Sequence, residues 1–347
     1  MSLYQNPIYQ SDLRRAQENT VRFEELKDSS VLITGATGLI GSFLVEMLML
    51  SNKEKNTNIR VYAMGRSMSR LQERFQECED ANLVLVENDV NEEISFEEAV
   101  DYIIHAASNA FPAAFQKDPV GTIMSNVQGT HNLLEYGRIH NCKRFLFVSS
   151  GEVYGQGDLS LDGFSEEYSG YVDPVQVRSC YPMSKRMAET LCASYTQQYG
   201  LDTVIVRPCH TYGPNATSAD NRANVQFVND ALSGKDIVLK SKGEQVRSYC
   251  YIADCASALL TVLLWGESAN AYNLANENVQ VSIAGFAKEV AKQAGRRVIF
   301  DIPEEVDKMA TPIQKQVLLV NKLNELGWHG AFSLETGIEH IMSILKN

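Results

Sequence analysis

The sequence lacks the features that mark membrane-spanning, disulfide-stapled and zinc-binding proteins. It has no run of about 18 apolar residues, and its first residues lack the hydrophobic core of a signal peptide. Its seven cysteines are an odd number without a Cys-x-x-Cys pair, and its six histidines never stand two or four residues apart. We therefore expect no membrane contact, no metal ion and a location in the reducing cytoplasm.

Positive charge is also scarce. The 31 lysines and arginines are outnumbered by 43 aspartates and glutamates, which gives a net charge of −12. Such an acidic chain is a poor partner for nucleic acid or for an anionic membrane. A small phosphate-bearing ligand remains compatible with it, because backbone N–H groups at a helix N-terminus bind phosphate whatever the net charge.

What the sequence has is a regular alternation of short apolar runs and helical patterns. Each run is apolar almost throughout, as in parallel strands that are covered on both faces. Helices are predicted between them at 39–50, 117–139 and 182–199. This alternation predicts an α/β fold with a doubly wound parallel sheet of the Rossmann type. The six predicted strands cover residues 31–34, 59–64, 83–87, 102–106, 145–149 and 203–207.

The regularity ends after Pro208, and this break predicts a second domain. The stretch "CHTYGPNATSADNRANVQF" has the composition of a loop, and less regular elements follow it. We expect 247–264 to return to the main sheet, and the binding site to lie in the cleft between the domains. The predicted units are an N-terminal extension (1–28), a Rossmann domain (29–207 and 247–275) and a smaller, interleaved C-terminal α/β domain for the substrate (208–246 and 276–347).

Three glycines follow the first predicted strand at the spacing Gly-x-x-Gly-x-x-Gly. Glycine there allows a tight turn and a close approach of the backbone to a pyrophosphate, which would lie at the N-terminus of the next helix. The loop "LITGATGLIG" therefore predicts a dinucleotide site. Its expected contacts are Gly35, Thr37, Gly38, Leu39, Ile40 and Gly41.

The choice between NAD and NADP depends on the end of the second strand. An acidic residue there would accept a hydrogen bond from the ribose 2′-hydroxyl of NAD, but the sequence has Gly65 followed by Arg66. Arginine suits the 2′-phosphate of NADP, whereas a solvated Arg66 is compatible with NAD, so both cofactors stay open. Further cofactor contacts are expected where the next two strands end, from Asp89, Val90, Ala106, Ala107 and Ser108.

A tyrosine and a lysine stand four residues apart in "CYPMSKRMAE", a stretch predicted as helix. Tyrosine has a pKa of about 10 and is a poor base at neutral pH. Lys185 and a positive nicotinamide ring would lower the pKa of Tyr181, whose phenolate could then take a proton from a sugar hydroxyl. Ser150, after the fifth strand, can hydrogen-bond the same oxygen. A solvated helix face can also show this spacing, but Ser150 and the glycine loop favour catalysis.

These motifs resemble those of the extended short-chain dehydrogenases/reductases, in the NAD-dependent epimerase/dehydratase group that acts on nucleotide sugars. The stretches "GATGLIG", "HAAS", "SSGEVYG", "YPMSK" and "RPCHTYGP" follow that group's order and spacing, and the likeness extends over 29–345. The resemblance implies a catalytic set of Ser150, Tyr181, Lys185 and Glu152. It implies further cofactor contacts from Tyr181, Lys185 and Pro208, and substrate contacts from Ser150, Glu152, His210, Arg222, Gln226 and Arg247.

Within that group the residues after the catalytic serine help to distinguish the reactions. The 4,6-dehydratases carry Thr-Asp-Glu and the UDP-glucuronate decarboxylases Thr-Ser-Glu, whereas this chain has Ser150, Gly151 and Glu152. The missing acid argues against a dehydratase, and "DPVQVRSCYPMSKRMAE" resembles the decarboxylase branch. The resemblance therefore favours oxidation of the sugar 4-hydroxyl followed by decarboxylation.

Two alternatives stay open. Arg66 and His210 are compatible with an NADPH-dependent 4-ketoreductase of a CDP- or dTDP-deoxysugar. A catalytically silent protein that senses the dinucleotide belongs to a different class, although such proteins commonly lose the tyrosine or the lysine. Relatives pair the helices that correspond to 117–139 and 182–199, so the resemblance also implies a homodimer.

Overall fold

A seven-stranded parallel sheet with helices on both faces dominates the computed structural model, which describes residues 2–303 and 313–346. The predicted doubly wound sheet is confirmed, and its six predicted strands begin and end within two residues of the predicted bounds. A seventh strand completes one edge. In spatial order the strands are β10 (Asn270–Leu274), β6 (Thr203–Pro208), β5 (Arg144–Val148), β4 (Tyr102–His105), β1 (Ser30–Thr34), β2 (Arg60–Gly65) and β3 (Leu83–Glu87).

The strand order reverses beside β1, which pairs with β2 on one side and with β4 on the other. Thr34 lies level with Met64 of β2 and with His105 of β4, so the three strands end together at one edge of the sheet. Loops that leave neighbouring strands in opposite directions open a crevice at such a point.

The described residues contain eleven α-helices. Among the described residues no helix is both long and apolar enough to cross a membrane. The helices are α1 (Pro7–Asn19), α2 (Leu39–Lys55), α3 (Met68–Phe75), α4 (Pro112–Lys117), α5 (Pro119–Ile139), α6 (Cys180–Tyr199), α7 (Ala223–Leu232), α8 (Ile252–Trp265), α9 (Ile283–Ala294), α10 (Asn321–Glu325) and α11 (Leu334–Lys346).

The helix predicted at 117–139 is interrupted at its start. Asp118 lies outside the helical region (φ −142°, ψ 72°), because helical angles are disfavoured for a residue before proline. Its side chain caps α5 by accepting a hydrogen bond from the N–H of Gly121 at 2.9 Å. Pro119 then takes the first helical position, where its missing N–H costs nothing.

The remaining strands form two small sheets outside the large one. They are β7 (His210–Tyr212), β8 (Ile237–Leu239), β9 (Val246–Tyr251), β11 (Gln280–Ser282), β12 (Val298–Phe300) and β13 (Lys315–Gln316). β9 is bordered by β7, β11 and β13, so the expected return of 247–264 to the main sheet is wrong for its first residues. That return is made by α8 and β10. The domain division stays a prediction, and residues 304–312 of its last segment lie outside the described residues.

The predicted N-terminal extension contains α1, which buries one of its faces. Tyr9 and Leu13 are fully buried among α2, α8 and α11. The Tyr9 hydroxyl donates to Glu46 of α2 at 2.6 Å, and Arg74 of α3 donates two hydrogen bonds to the same carboxylate, at 2.5 and 2.7 Å. One buried carboxylate therefore joins three helices.

A second buried carboxylate holds the middle of α1. Asp12 accepts a hydrogen bond from the Tyr251 hydroxyl at 2.6 Å, and its other oxygen lies 2.7 Å from Nδ1 of His340 on α11. The extension is thus tied to the small sheet around β9 and to the last helix.

We expect Arg74→Ala to lower the free energy of unfolding by about 3–5 kcal/mol, because it leaves the Glu46 carboxylate buried without its cation. The matched control Arg14→Ala breaks the exposed pair with Glu54 and should cost less than about 1 kcal/mol. Urea denaturation of both variants measures the difference. Equal losses of unfolding free energy in the two variants would show that the buried pair of Arg74 and Glu46 contributes no more than the exposed pair.

The pair between His340 and Asp12 should stabilise the fold in a pH-dependent way. The carboxylate raises the pKa of His340, so its stabilisation is complete below about pH 6.5 and is lost as the pH rises through the raised pKa. We expect His340→Asn to lower the free energy of unfolding more at about pH 6 than at about pH 9. His329→Asn, at an exposed side chain 3.5 Å from Glu277, is the control. A loss that was independent of pH would contradict the assignment.

Candidate active site

A cavity of about 980 Å³ opens at the carboxyl ends of the central strands, where the strand order reverses. Every predicted cofactor contact lines it, and so do six predicted catalytic or substrate residues. The first group comprises Gly35, Thr37, Gly38, Leu39, Ile40, Gly41, Arg66, Asp89, Val90, Ala106, Ala107, Ser108, Tyr181, Lys185 and Pro208. The second comprises Ser150, Glu152, Tyr181, Lys185, His210 and Arg222, of which Tyr181 and Lys185 also belong to the first.

The glycine loop between β1 and α2 has the shape that a pyrophosphate requires. Gly35 has a φ of +67°, and a Cβ on it would lie 2.8 Å from the carbonyl oxygen of Ala106. A Cβ on Gly41 would lie 2.3 Å from the carbonyl oxygen of Gly35, so both positions exclude larger residues. Gly38 begins α2 without a side-chain cap, which leaves N–H groups of the first turn available to an anion. The loop therefore fits a dinucleotide.

Tyr181 lies in the first turn of α6, at the wall of this cavity. Its ring stacks on Phe115 of α4, with centroids 4.7 Å apart and an angle of 19° between the planes. Burial raises its pKa to about 12, although the hydroxyl of Ser150 acts in the opposite direction. The protein alone therefore does not produce the predicted fall in this pKa, because desolvation of the phenolate outweighs the favourable contacts.

Lys185 lies one turn further along α6 and is 2% exposed. Its Nζ donates to the carbonyl oxygen of Val148 at 2.7 Å and lies 5.8 Å from the centroid of the Tyr181 ring. Burial lowers its pKa to about 7, while the carboxylate of Glu189 favours the charged form. Since an anion beside a buried ammonium favours its charge, ionisation of Tyr181 and protonation of Lys185 support each other.

Glu152 is held by an arginine that the sequence analysis did not assign. It follows β5 in a short 3₁₀ helix (Gly151–Tyr154), and its two oxygens accept hydrogen bonds from Arg178 at 2.9 and 3.0 Å. Both side chains are about one-fifth exposed. A bidentate pair of this kind fixes the orientation of the carboxylate at the cavity wall.

Four of the six predicted substrate residues line the cavity, Ser150 and Glu152 together with His210 and Arg222. Arg222 lines the cavity but is held by Asp220, at 2.6 Å between Nη2 and Oδ2. His210 also lines it, with a buried Nδ1 that has no hydrogen-bond partner among the described residues. Burial lowers the pKa of His210 to about 3, so a neutral imidazole is available to a ligand.

The structure does not bring Gln226 and Arg247 to the cavity lining formed by the described residues. Gln226 is exposed on α7. Arg247 is 2% exposed, and its guanidinium donates to the backbone carbonyls of Val246, Ile313 and Gln314. Because Arg247 lies inside β9, its guanidinium binds backbone carbonyls just before β13 and does not reach the cavity that the described residues line.

At the opposite end of the cavity, the residues after β2 carry positive charge. Arg66 and Arg70 line this end, and neither guanidinium makes a hydrogen bond or an ion pair within the described ranges 2–303 and 313–346. Residues 2–4 of the N-terminal extension line the same cavity, which the sequence analysis did not predict.

Comparison with known proteins shows the family to which the chain belongs. The sequence pattern that defines the NAD dependent epimerase/dehydratase family matches residues 31–275. UDP-glucuronic acid decarboxylase 6 of Arabidopsis thaliana is 33% identical over 316 residues, which cover 89% of this chain and 86% of the relative. UDP-glucuronic acid decarboxylase 1 of Xenopus tropicalis is 33% identical over 322 residues, or 92% of this chain and 72% of the relative.

Solved structures share the fold at lower identity. The UDP-glucuronic acid 4-epimerase of Bacillus cereus, in complex with UDP-glucuronic acid and NAD, superposes with a TM-score of 0.76 and 22% identity over 91% of this chain and 99% of its own. The dTDP-glucose 4,6-dehydratase of Bacillus anthracis, in complex with NAD, gives a TM-score of 0.76 and 21% identity over 91% and 96%.

The glycine loop, the tyrosine and the lysine lie in one cavity, and the family pattern covers most of the sheet that builds it. The chain is an enzyme of the NAD dependent epimerase/dehydratase family.

Proposed function

We propose that the enzyme oxidises the 4-position of a nucleotide-linked uronic acid and then decarboxylates it. The observation that carries this proposal is the placement of Tyr181, Ser150 and Glu152 on the cavity that also contains the glycine loop. The naming of the sequence relatives as UDP-glucuronic acid decarboxylases supports UDP-glucuronate as the substrate.

Each catalytic side chain has a distinct task in this reaction. Bound along the glycine loop, a nicotinamide dinucleotide supplies first the acceptor and later the donor of the hydride at the sugar 4-position. Tyr181 takes the proton from the 4-hydroxyl, and Ser150 donates a hydrogen bond to the same oxygen. Lys185 supplies the positive charge that supports the phenolate.

Glu152 serves the decarboxylation step. Oxidation at the 4-position turns the uronic acid into a β-keto acid, whose carbon–carboxylate bond breaks to release carbon dioxide and leaves an enolate. The enolate takes a proton at the carbon that carried the carboxylate, and the ketone is reduced again. Glu152, fixed by Arg178, orients the groups around that carbon.

The direct test is incubation of purified protein with UDP-glucuronate. We expect release of carbon dioxide, formation of the corresponding UDP-pentose and no net change in the amount of oxidised and reduced dinucleotide. Protein that turned over no nucleotide sugar would contradict the proposal and favour the catalytically silent sensor.

Tyr181→Phe should lower the rate of sugar oxidation by about 100- to 10,000-fold, because no other group takes the hydroxyl proton. Tyr199→Phe, at the exposed end of the same helix, is the matched control and should leave the rate unchanged. Mass spectrometry measures the rate of product formation by both variants. Full activity of Tyr181→Phe would exclude the assigned base.

A second candidate function is an NADPH-dependent 4-ketoreductase. It is favoured by the unpaired Arg66 and Arg70 and by the neutral His210 at the cavity wall. A ketoreductase would consume NADPH stoichiometrically with a 4-keto nucleotide sugar and would release no carbon dioxide from UDP-glucuronate.

We propose that the cofactor is NADP, since Gly65 offers no carboxylate to a ribose hydroxyl and Arg66 is free to bind a 2′-phosphate. Arg66→Ala should weaken NADPH binding by about 10- to 100-fold, the loss of a charged hydrogen bond, and leave NADH binding unchanged. Arg60→Ala, at the opposite end of β2, is the control. Fluorescence titration with NADPH and with NADH measures the ratio of their dissociation constants. Tighter binding of NADH than of NADPH by the unaltered enzyme would contradict the proposal.

We also propose a homodimer formed by α5 and α6. Their outer faces expose Val120, Ile123, Met124, Met183, Met187 and Tyr199, whereas Leu133 and Tyr195 face inward. Met187→Glu should convert the dimer to a monomer in sedimentation equilibrium, because it places a charge in an apolar contact. A monomeric unaltered enzyme would contradict this arrangement. The cytoplasmic location stays a prediction.

A further inference from the structure

The N-terminal extension contributes a wall to the adenosine end of the cavity. Residues 2–4 line that end, where the lining also includes Arg66 after β2, Arg70 and Arg74 of α3, and Glu77 beyond it. The end of β2 is where a Rossmann fold holds the adenosine ribose. The family pattern begins only at residue 31, so this wall comes from a part of the chain outside that pattern.

Hydrogen bonds on both sides hold this segment in place. Tyr4 is 7% exposed, and its carbonyl oxygen accepts a hydrogen bond from Nε2 of Gln10 at 3.1 Å. The side chain of Gln5 donates to the carboxylate of Glu77, just beyond α3. Asn6 then caps α1 by accepting from the N–H groups of its first turn, at 3.0 and 3.3 Å. Residues 2–5 therefore form a connected strap between α1 and the end of α3.

The strap is also linked to the cavity through α1. Glu46 joins the Tyr9 hydroxyl to the guanidinium of Arg74, and Arg74 itself lines the cavity. A ligand that contacts Arg74 thus lies two hydrogen bonds from the helix that carries the strap.

The walls at this end of the site have polar atoms without partners. The Ser2 hydroxyl oxygen and the Asn91 side-chain oxygen are buried and make no hydrogen bond within the described residues. Arg66 and Arg70 add two guanidiniums without carboxylate partners. Buried polar atoms are normally hydrogen-bonded, so the Ser2 and Asn91 oxygens indicate a polar ligand, and the two guanidiniums indicate an anionic group on it.

We propose that residues 2–4 cover the adenosine half of the bound dinucleotide, with its 2′-substituent between the strap and the two arginines, and that they slow its release. This inference rests on the proposed dinucleotide-dependent function. A cofactor that is covered on this side can leave only when the strap moves, and this means breaking the bond between Gln5 and Glu77. Retention of that kind suits a reaction in which the hydride returns to the sugar.

The test compares the full chain with a variant that lacks residues 2–5 but keeps the Asn6 cap. Displacement of bound NADPH in a stopped-flow fluorimeter gives the release rate, and calorimetry with adenosine 2′,5′-bisphosphate gives the affinity of the adenosine end alone. We expect the deletion to accelerate the release of NADPH and to lower the affinity for NADPH and for adenosine 2′,5′-bisphosphate by about tenfold or more. The affinity for UDP should not change.

Two further variants separate this effect from damage to the fold. Tyr4→Ala removes part of the wall without shortening the chain and should shift the release rate in the same direction. His340→Asn loosens the packing of α1 away from the cavity and should leave the release rate unchanged. Unaltered release and affinity in both the deletion and Tyr4→Ala would overturn the inference while leaving the proposed function intact. Failure of the full chain to bind either dinucleotide would overturn both.

Discussion

The burial of two ionisable side chains in one pocket is the constraint on which the site depends. Tyr181 and Lys185 are both almost inaccessible to solvent, and burial moves each toward its neutral form, with pKa values of about 12 and about 7. Neither side chain is well placed to act alone as a charged group. The two side chains can be charged together, because a phenolate and an ammonium in a buried pocket stabilise each other far more than they would in water.

The surrounding fold holds this pair at the reversal point of the sheet. The Val148 carbonyl at the end of β5 fixes the ammonium, and the ring of Phe115 fixes the plane of the phenol. Glu189, one turn beyond Lys185, is itself held by Arg207 of β6 at 2.6 and 2.9 Å. Its negative charge favours the protonated lysine. The catalytic geometry is thus set by α6 and by the two strands beneath it.

The sheet and the centre of the site could be predicted from the sequence because they depend on local spacing. Continuous apolar runs indicated β1 to β6, and the glycines and Tyr-x-x-x-Lys lie within single strand–turn–helix units. The remaining features depend on pairing between distant residues. Arg178 reaches Glu152 across 26 residues, and residues 2–4 join the cavity only because α1 packs on α2.

Burial explains where residue type misled the sequence analysis. Arg247 was expected to contact the substrate, but because it lies inside β9 its guanidinium donates to backbone carbonyls. The predicted fall in the pKa of Tyr181 included the effect of a positive nicotinamide ring, and in the protein alone desolvation acts in the opposite direction. Neither effect has a signature in the spacing of the motif, since both follow from the packing around a side chain.

The most direct test of this account is the pKa of Tyr181 in the presence and absence of bound NADP+. Ultraviolet difference titration of the enzyme against Tyr181→Phe isolates the signal of this one phenol. The account predicts a pKa above 10 for the protein alone and a fall toward neutrality once the oxidised dinucleotide adds its positive ring to the charge of Lys185. A pKa that stayed above 10 with the dinucleotide bound would contradict the role of Tyr181 as the base.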